Sequence, residues 1–257
     1  MTRAAVPAKS AIATRLRLTT EFQLLVGDRA IGVPHGVQRL LAFLAIGRHP
    51  MDRSRVAGQL WPDVAEWRAL GNLRSALWRL RRIPRRVVRA AGDRLMLNPD
   101  VSVDTRELTE LCVQILDGVD RPPLRRLFDL IQAGEILPGW EEEWLLVERE
   151  RYRELRLRAL ERACEAMILD GNAGGAVQTC LAAVQAEPFR ESAQRLLVQL
   201  HLSEGNRAAA LRSYLAYREL VEKELGIEPS ELMADLIGGL GLAGRTLVET
   251  SRSGRRW

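Results

Sequence analysis

Gly-Asn stands at residues 171–172 and again 34 residues later, at 205–206. At the same offset Ala176 aligns with Ala210, Leu181 with Leu215 and Ala182 with Ala216. A 34-residue period with helix-turn-helix content in each unit is the mark of tetratricopeptide-like helix pairs. One such unit cannot bury its apolar face alone, so the period commits this half of the chain to stacked helices. The alanines are expected where helices cross closely, with Cys180 and Tyr214 in the bulky position. Pro188 ends the first unit. The second unit has Glu222 there, so its helix is expected to run on to about Leu225, where "GIEPS" breaks it. Ser230 or Pro229 then opens a closing helix. Helical patterns cover 104–117, 122–133, 141–170, 173–186, 189–204, 206–225 and 229–241, with "GEILPGW" (134–140) as a loop.

The first hundred residues are patterned differently. "RLRLTTEFQLLV" (15–26) alternates apolar and polar residues, and "GDRAIGVP" follows with turn residues, which predicts two or three short strands. Residues 36–47 then place Val37, Leu40, Leu41 and Leu44 on one helical face. A second helix is expected over 51–61 with Asp52 as N-cap, and a third from Glu66 to Arg82, stopped by Pro84. "RVVRAAGDRLMLNP" reads as a hairpin. Strands, three helices and a hairpin make a winged helix-turn-helix. The fold class expected is mainly α with a small β component, the winged helix preceding an all-helical tetratricopeptide-like domain. The division expected is a tail over 1–14, the winged helix over 15–100, the helical domain over 101–242 and a basic tail over 243–257.

Charge separates the same halves. Residues 1–100 carry 18 Lys/Arg against 7 Asp/Glu, and residues 101–257 carry 20 against 26. From Trp67 to Gly92 there is no acidic residue. At 100° per residue, Ala69, Leu70, Leu73, Ala76, Leu77 and Leu80 of the third helix share one arc. Arg68, Asn72, Ser75, Arg79 and Arg82 lie opposite. Arg74 and Arg81 flank them, with Trp78 between that flank and the polar face. A solvated helix ordinarily mixes signs, because opposite charges at i,i+4 attract and like charges repel. An unrelieved cationic face fits a phosphate polyanion, whose condensed counterions are released on binding. Arginine forks match guanine O6 and N7 or two phosphate oxygens, and asparagine can read adenine. Around the hairpin, Arg85, Arg86, Arg89 and Arg94 are expected to touch the DNA backbone, as are Arg53 and Arg55.

Other chemistries find little support. Cys112, Cys164 and Cys180 lack metal-ligand spacing and read as buried thiols. His35, His49 and His201 stand in no catalytic motif, and "GGLGLAG" (238–244) lacks the Lys-Ser/Thr of a phosphate loop. "EEE" (141–143) suits the first turn of a helix. No cofactor, metal or catalytic residue is expected. No stretch reaches the roughly 18 apolar residues of a membrane span, and the first residues have no signal-peptide apolar core. A cytoplasmic, nucleoid-associated protein is expected.

"LLAFLA", "DRSRVAGQLWPD" and "NLRSALWRLRR" together resemble the winged-helix DNA-binding domain, of the response-regulator output type, of the antibiotic regulatory protein (SARP) family. "LPGWEEEWLLVERERYRELRLRALERACE" and the two repeat units resemble that family's bacterial transcriptional activator domain. The likeness spans about residues 15–241. It implies a regulator, an activator on this reading, that binds direct repeats in promoter DNA and helps recruit RNA polymerase. The groove of the stacked repeat helices is expected to take a partner peptide or the same domain of a neighbour, which would let the chain self-associate on DNA. Asp93 departs from the family, where an aromatic is common in the wing turn. Nothing in the chain resembles the nucleotide-binding domain of larger relatives or a phosphoacceptor receiver domain. The rival reading is a protein-interaction scaffold whose basic half gives only non-specific DNA affinity.

Overall fold

The computed structural model describes residues 13–118 and 124–238. They fall into two compact units, one of residues up to 113 together with 133–155, the other of 114–132 and the residues from 156 onward. In chain order the first unit contains β1 (Thr14–Arg17), β2 (Gln23–Val26), β3 (Arg29–Ala30), α1 (His35–Ile46), β4 (Met51–Asp52), α2 (Arg53–Leu60) and α3 (Glu66–Leu80). Then come β5 (Val88–Ala91), β6 (Arg94–Leu97), β7 (Val101–Val103) and most of α4 (Asp104–Leu116). The second unit contains α5 (Leu124–Gln132). α6 (Glu143–Leu169) contributes its first half to the first unit and its second half to the second. α7 (Ala173–Ala186), α8 (Glu191–Ser203), α9 (Arg207–Leu225) and α10 (Glu231–Ile237) complete the second unit.

Alternation sets the first sheet. Leu16 and Leu18 are fully buried while Arg15 and Arg17 face water. β1 pairs antiparallel with β2, from Thr14 opposite Val26, so the strand begins inside the segment read as a tail. Residues 1–12 and 239–257 lie outside the described residues. β7 joins the other edge of β1 in parallel, Thr14 opposite Val101, which gives the order β3-β2-β1-β7. Asp104, first residue of α4, ties the end of β1 down. Its carboxylate accepts the Leu18 N–H at 2.9 Å, the Thr19 N–H at 3.0 Å and the Thr19 hydroxyl at 2.7 Å. The loop 134–140 is held as firmly. Arg149 donates to the carbonyls of Ile136 (3.0 Å), Leu137 (2.7 Å) and Trp140 (3.1 Å).

α1, α2 and α3 bury the stripes that periodicity predicts. α1 buries Val37, Leu40, Leu41 and Leu44, and α2 buries Val56 and Leu60. α3 packs against both. The hairpin forms by β5 and β6 pairing around Gly92-Asp93, Ala91 opposite Arg94. Gly92 has φ +61 and is followed by a residue of negative φ, the arrangement of a type II′ turn, which matches the strand twist. The two-residue β4 adds to the other edge of β6. Asp52 does occupy the N-cap position of α2, but its carboxylate makes no capping bond. It accepts instead from Arg94 Nε at 3.1 Å.

In the second unit the Gly-Asn pairs account for the period. Gly171 and Gly205 have φ +70 and +71, a backbone shape that favours glycine. The following N–H groups turn back on the helix just ended, Asn172 to Met167 at 2.9 Å and Asn206 to His201 at 2.8 Å. Each asparagine side chain then caps the next helix, accepting from Gly175 N–H or Ala209 N–H at 3.1 Å. Ala176 and Ala210 are fully buried as expected. The equivalence fails further along: Ala182 is buried but Ala216 is exposed, and Leu181 and Leu215 are both exposed. With no proline at 222, α9 continues and buries Tyr217 and Val221 among Val198, Ala210, Met233 and Ile237. Cys164 and Cys180 sit with Ala176, Leu196, Leu197 and Leu200 in a separate cluster.

Candidate nucleic-acid interface

α3 follows α2 after a five-residue connection, "WPDVA", and its apolar arc settles its rotation. Ala69, Leu73, Ala76 and Leu80 are buried, while Leu70 and Leu77 border the core half-buried. The opposite arc therefore faces solvent. Arg68, Asn72, Arg74, Ser75, Trp78 and Arg79 are all exposed. The α-helix ends at Leu80, two residues before the expected Arg82. Three-residue hydrogen bonds, Arg82 N–H to Arg79 O and Ile83 N–H to Leu80 O at 3.1 Å, carry a tighter turn up to Pro84. Arg81 and Arg82 are exposed on that turn.

None of Arg68, Arg74, Arg79, Arg81 or Arg82 has a carboxylate partner among the described residues. Two guanidiniums lie on aromatic rings instead. That of Arg82 sits 4.0 Å from the Trp78 centroid, and that of Arg68 4.9 Å from the Trp67 centroid. Such stacking fixes a cation's position without neutralising it. Arg74, Ser75, Trp78 and Arg79 line an open depression of about 350 Å³. The Ser75 hydroxyl donates to the Gly71 carbonyl at 3.0 Å, so this side chain faces outward with its lone pairs and its proton is committed to the helix.

The wing divides into two groups. Arg85, Arg86 and Arg89 are exposed and, with Arg55 at α2, lack an ion-pair partner among the described residues. Arg94 and Arg53 are held by carboxylates, Arg94 by Asp52 at 3.1 Å and Arg53 by Asp93 at 3.6 Å. These pairs cross-link the hairpin to the start of α2. They were not readable from a chain in which the partners lie about 40 residues apart. Trp67 is a second feature absent from the sequence reading: it is 67% exposed, the largest apolar surface on α3. A signal existed, because at about 100° per residue positions 74 and 78 each fall about 20° from position 67, one on either side of it.

Among the described residues no helix is long and apolar enough to cross a membrane. Residues 131–240 match the bacterial transcriptional activator domain family. The chain is similar to the regulatory protein AfsR of Streptomyces coelicolor, 33% identical over 131 residues, which is 51% of this chain and 13% of that protein. It is also similar to AfsR of Streptomyces griseus, 26% identical over 196 residues, 72% of this chain and 20% of that protein. The chain thus spans a fifth or less of the length of these relatives. Among solved structures, Mycobacterium tuberculosis EmbR, determined in complex with a low-affinity phosphopeptide, superposes with a TM-score of 0.63 at 20% identity. That match covers 88% of this chain and 64% of EmbR, and it supports the architecture of a winged helix joined to a helical domain. By these likenesses the chain resembles regulators of the SARP type, and residues 131–240 match their bacterial transcriptional activator domain.

Proposed function

We propose that the chain is a sequence-specific DNA-binding regulator, with α3 in the major groove and the β5–β6 hairpin along the flanking backbone. The observation that carries this reading is the face formed by α3 and the turn after it: five arginines with no carboxylate partner among the described residues, beside Asn72 and Ser75, all exposed. Arg79 and Asn72, central on the face, are the base readers; Arg81, Arg82, Arg85, Arg86 and Arg89 contact phosphates and set register. The likeness to SARP-type regulators supports promoter DNA as the target and activation through RNA polymerase as the outcome, with self-association on direct repeats. The helical domain is the element facing the polymerase, and no step requires catalysis or a cofactor.

Mobility shifts on promoter fragments of the source genome test the reading. Specific fragments should stay bound in excess random duplex. The logarithm of affinity should fall with the logarithm of salt concentration at about 0.9 per phosphate contacted. The scaffold reading draws on Leu181 and Leu215, exposed at equivalent positions of successive units. It requires random duplex to compete as well as any promoter, and that result would displace the proposal.

A further inference from the structure

At the C-terminal end of α1 lies a half-open hollow of about 470 Å³, within the range of small-molecule sites. Its wall carries Arg48 and His49 from the turn after α1, Arg106 and Thr109 from α4, and Arg151 from α6, over an apolar floor that includes Ile136. All belong to the first compact unit. Arg106 is fixed in place. Its Nε donates to the Ala45 carbonyl at 2.9 Å and its Nη2 to the Leu44 carbonyl at 3.3 Å, two acceptors left over where α1 ends. Five N–H donors make up a guanidinium, so this anchoring leaves Arg106 further donors.

The charges in the hollow are unequal. Glu148 also lines it, but is paired with Arg151 at 2.7 Å. Arg48 has no ion-pair partner among the described residues, and Arg106 is bonded only to backbone. Half-burial, and then the positive charge of Arg48, hold the Arg106 guanidinium below its ordinary pKa; Glu110 pulls the other way without forming an ion pair. Two guanidiniums that line one concave site, Arg106 held by backbone and Arg48 exposed, repel each other until an anion joins them. α3 shows a similar excess of guanidiniums over carboxylates on a convex rod. Here the surface is concave, which suits a small molecule.

We propose that this hollow binds a small phosphorylated metabolite, its phosphate bridging Arg48 and Arg106 and its organic part resting on the apolar floor. Guanidinium forks meet phosphate oxygens through paired, charge-assisted hydrogen bonds, which favours phosphate over a less charged ligand. The site is separate from the α3 face and does not depend on the DNA-binding reading.

The test uses the full chain and inorganic pyrophosphate as probe. Thermal unfolding and titration calorimetry are run against sodium chloride of equal ionic strength. The expected result is a saturable rise in unfolding midpoint with pyrophosphate. Arg48→Ala, at an exposed site without a partner, should unfold like the parent but bind the probe at least about tenfold more weakly, the loss expected for one charge-assisted contact. Arg151→Ala leaves Glu148 unpaired against the ligand and should weaken binding in the same direction. No stabilisation beyond that of salt would overturn the proposal, as would equal stabilisation of parent and Arg48→Ala. Displacement of the probe by a stoichiometric amount of duplex DNA would also overturn it, by assigning the hollow's cations to the DNA backbone.

Discussion

Two helices of this chain are rich in arginine and use it in opposite ways. Along α6, Arg149 holds three loop carbonyls and Glu135, Arg151 pairs with Glu148, Arg153 with Glu150, and Arg162 with Glu165. Arg156, 8% exposed, donates to the carbonyls of Leu130 and Ile131, each at 3.0 Å, where α5 ends. Along α3 every arginine points outward, and none has a carboxylate. Arginine content does not distinguish the two helices; the glutamates do, interleaved along α6 but confined in α3 to its first residue, Glu66. The same cation staples backbone in one place and awaits an outside partner in the other. The sharpest way to break this contrast is Arg156→Ala. It strips the buried Leu130 carbonyl and the half-buried Ile131 carbonyl of a charged donor and should lower stability by about 3 kcal/mol. Urea unfolding should show that loss, while the DNA affinity of the folded fraction stays that of the parent.

Arg79→Ala should behave in the reverse manner. Its unfolding midpoint should stay within about 0.5 kcal/mol of the parent, since an exposed side chain without a partner is removed. Its preference for a specific promoter fragment over random duplex should fall by about 1–3 kcal/mol. Competition binding at fixed salt measures this. If Arg79→Ala lost stability and kept discrimination, α3 would be a structural helix and the contrast with α6 would vanish.

The helical half offers a smaller effect. Asn172→Ala and Asn206→Ala each remove one cap and should cost about 1 kcal/mol of stability, with no change in DNA binding. These two positions also show what the sequence made legible. Gly171-Asn172 and Gly205-Asn206 act through neighbours in the chain, so the pattern alone located the turns. The α3 face was legible for the same reason, because a helix converts spacing directly into direction. Contacts between distant segments were not. β7 meets β1 across more than 80 residues, and a three-residue strand carries no periodicity of its own. Asp52 read as a cap because the local rule for helix starts favours it, yet Arg94 from the hairpin takes its carboxylate. Ala216 read as a crossing residue because it matched Ala182, but the loss of a proline lengthened α9 and moved its contact to Tyr217.

Trp78 gives the finest test of how α3 keeps its cations ready. A tryptophan 54% exposed contributes little to the core, so Trp78→Ala should leave the unfolding midpoint nearly unchanged. Its ring nevertheless sits 4.0 Å beneath the guanidinium of Arg82, a residue on the tighter turn that follows the α-helix. Without the ring, Arg82 samples many rotamers and must be ordered at the moment of binding. The expected loss is about 0.5–1 kcal/mol of DNA affinity, the size of an exposed cation–π contact. It should be equal for specific and random duplex, because Arg82 is assigned to phosphate. Trp78→Phe keeps a ring and should recover part of that loss. A sequence-dependent loss in Trp78→Ala would instead make the indole itself a reader of base edges, moving the boundary between positioning and recognition one turn along the helix.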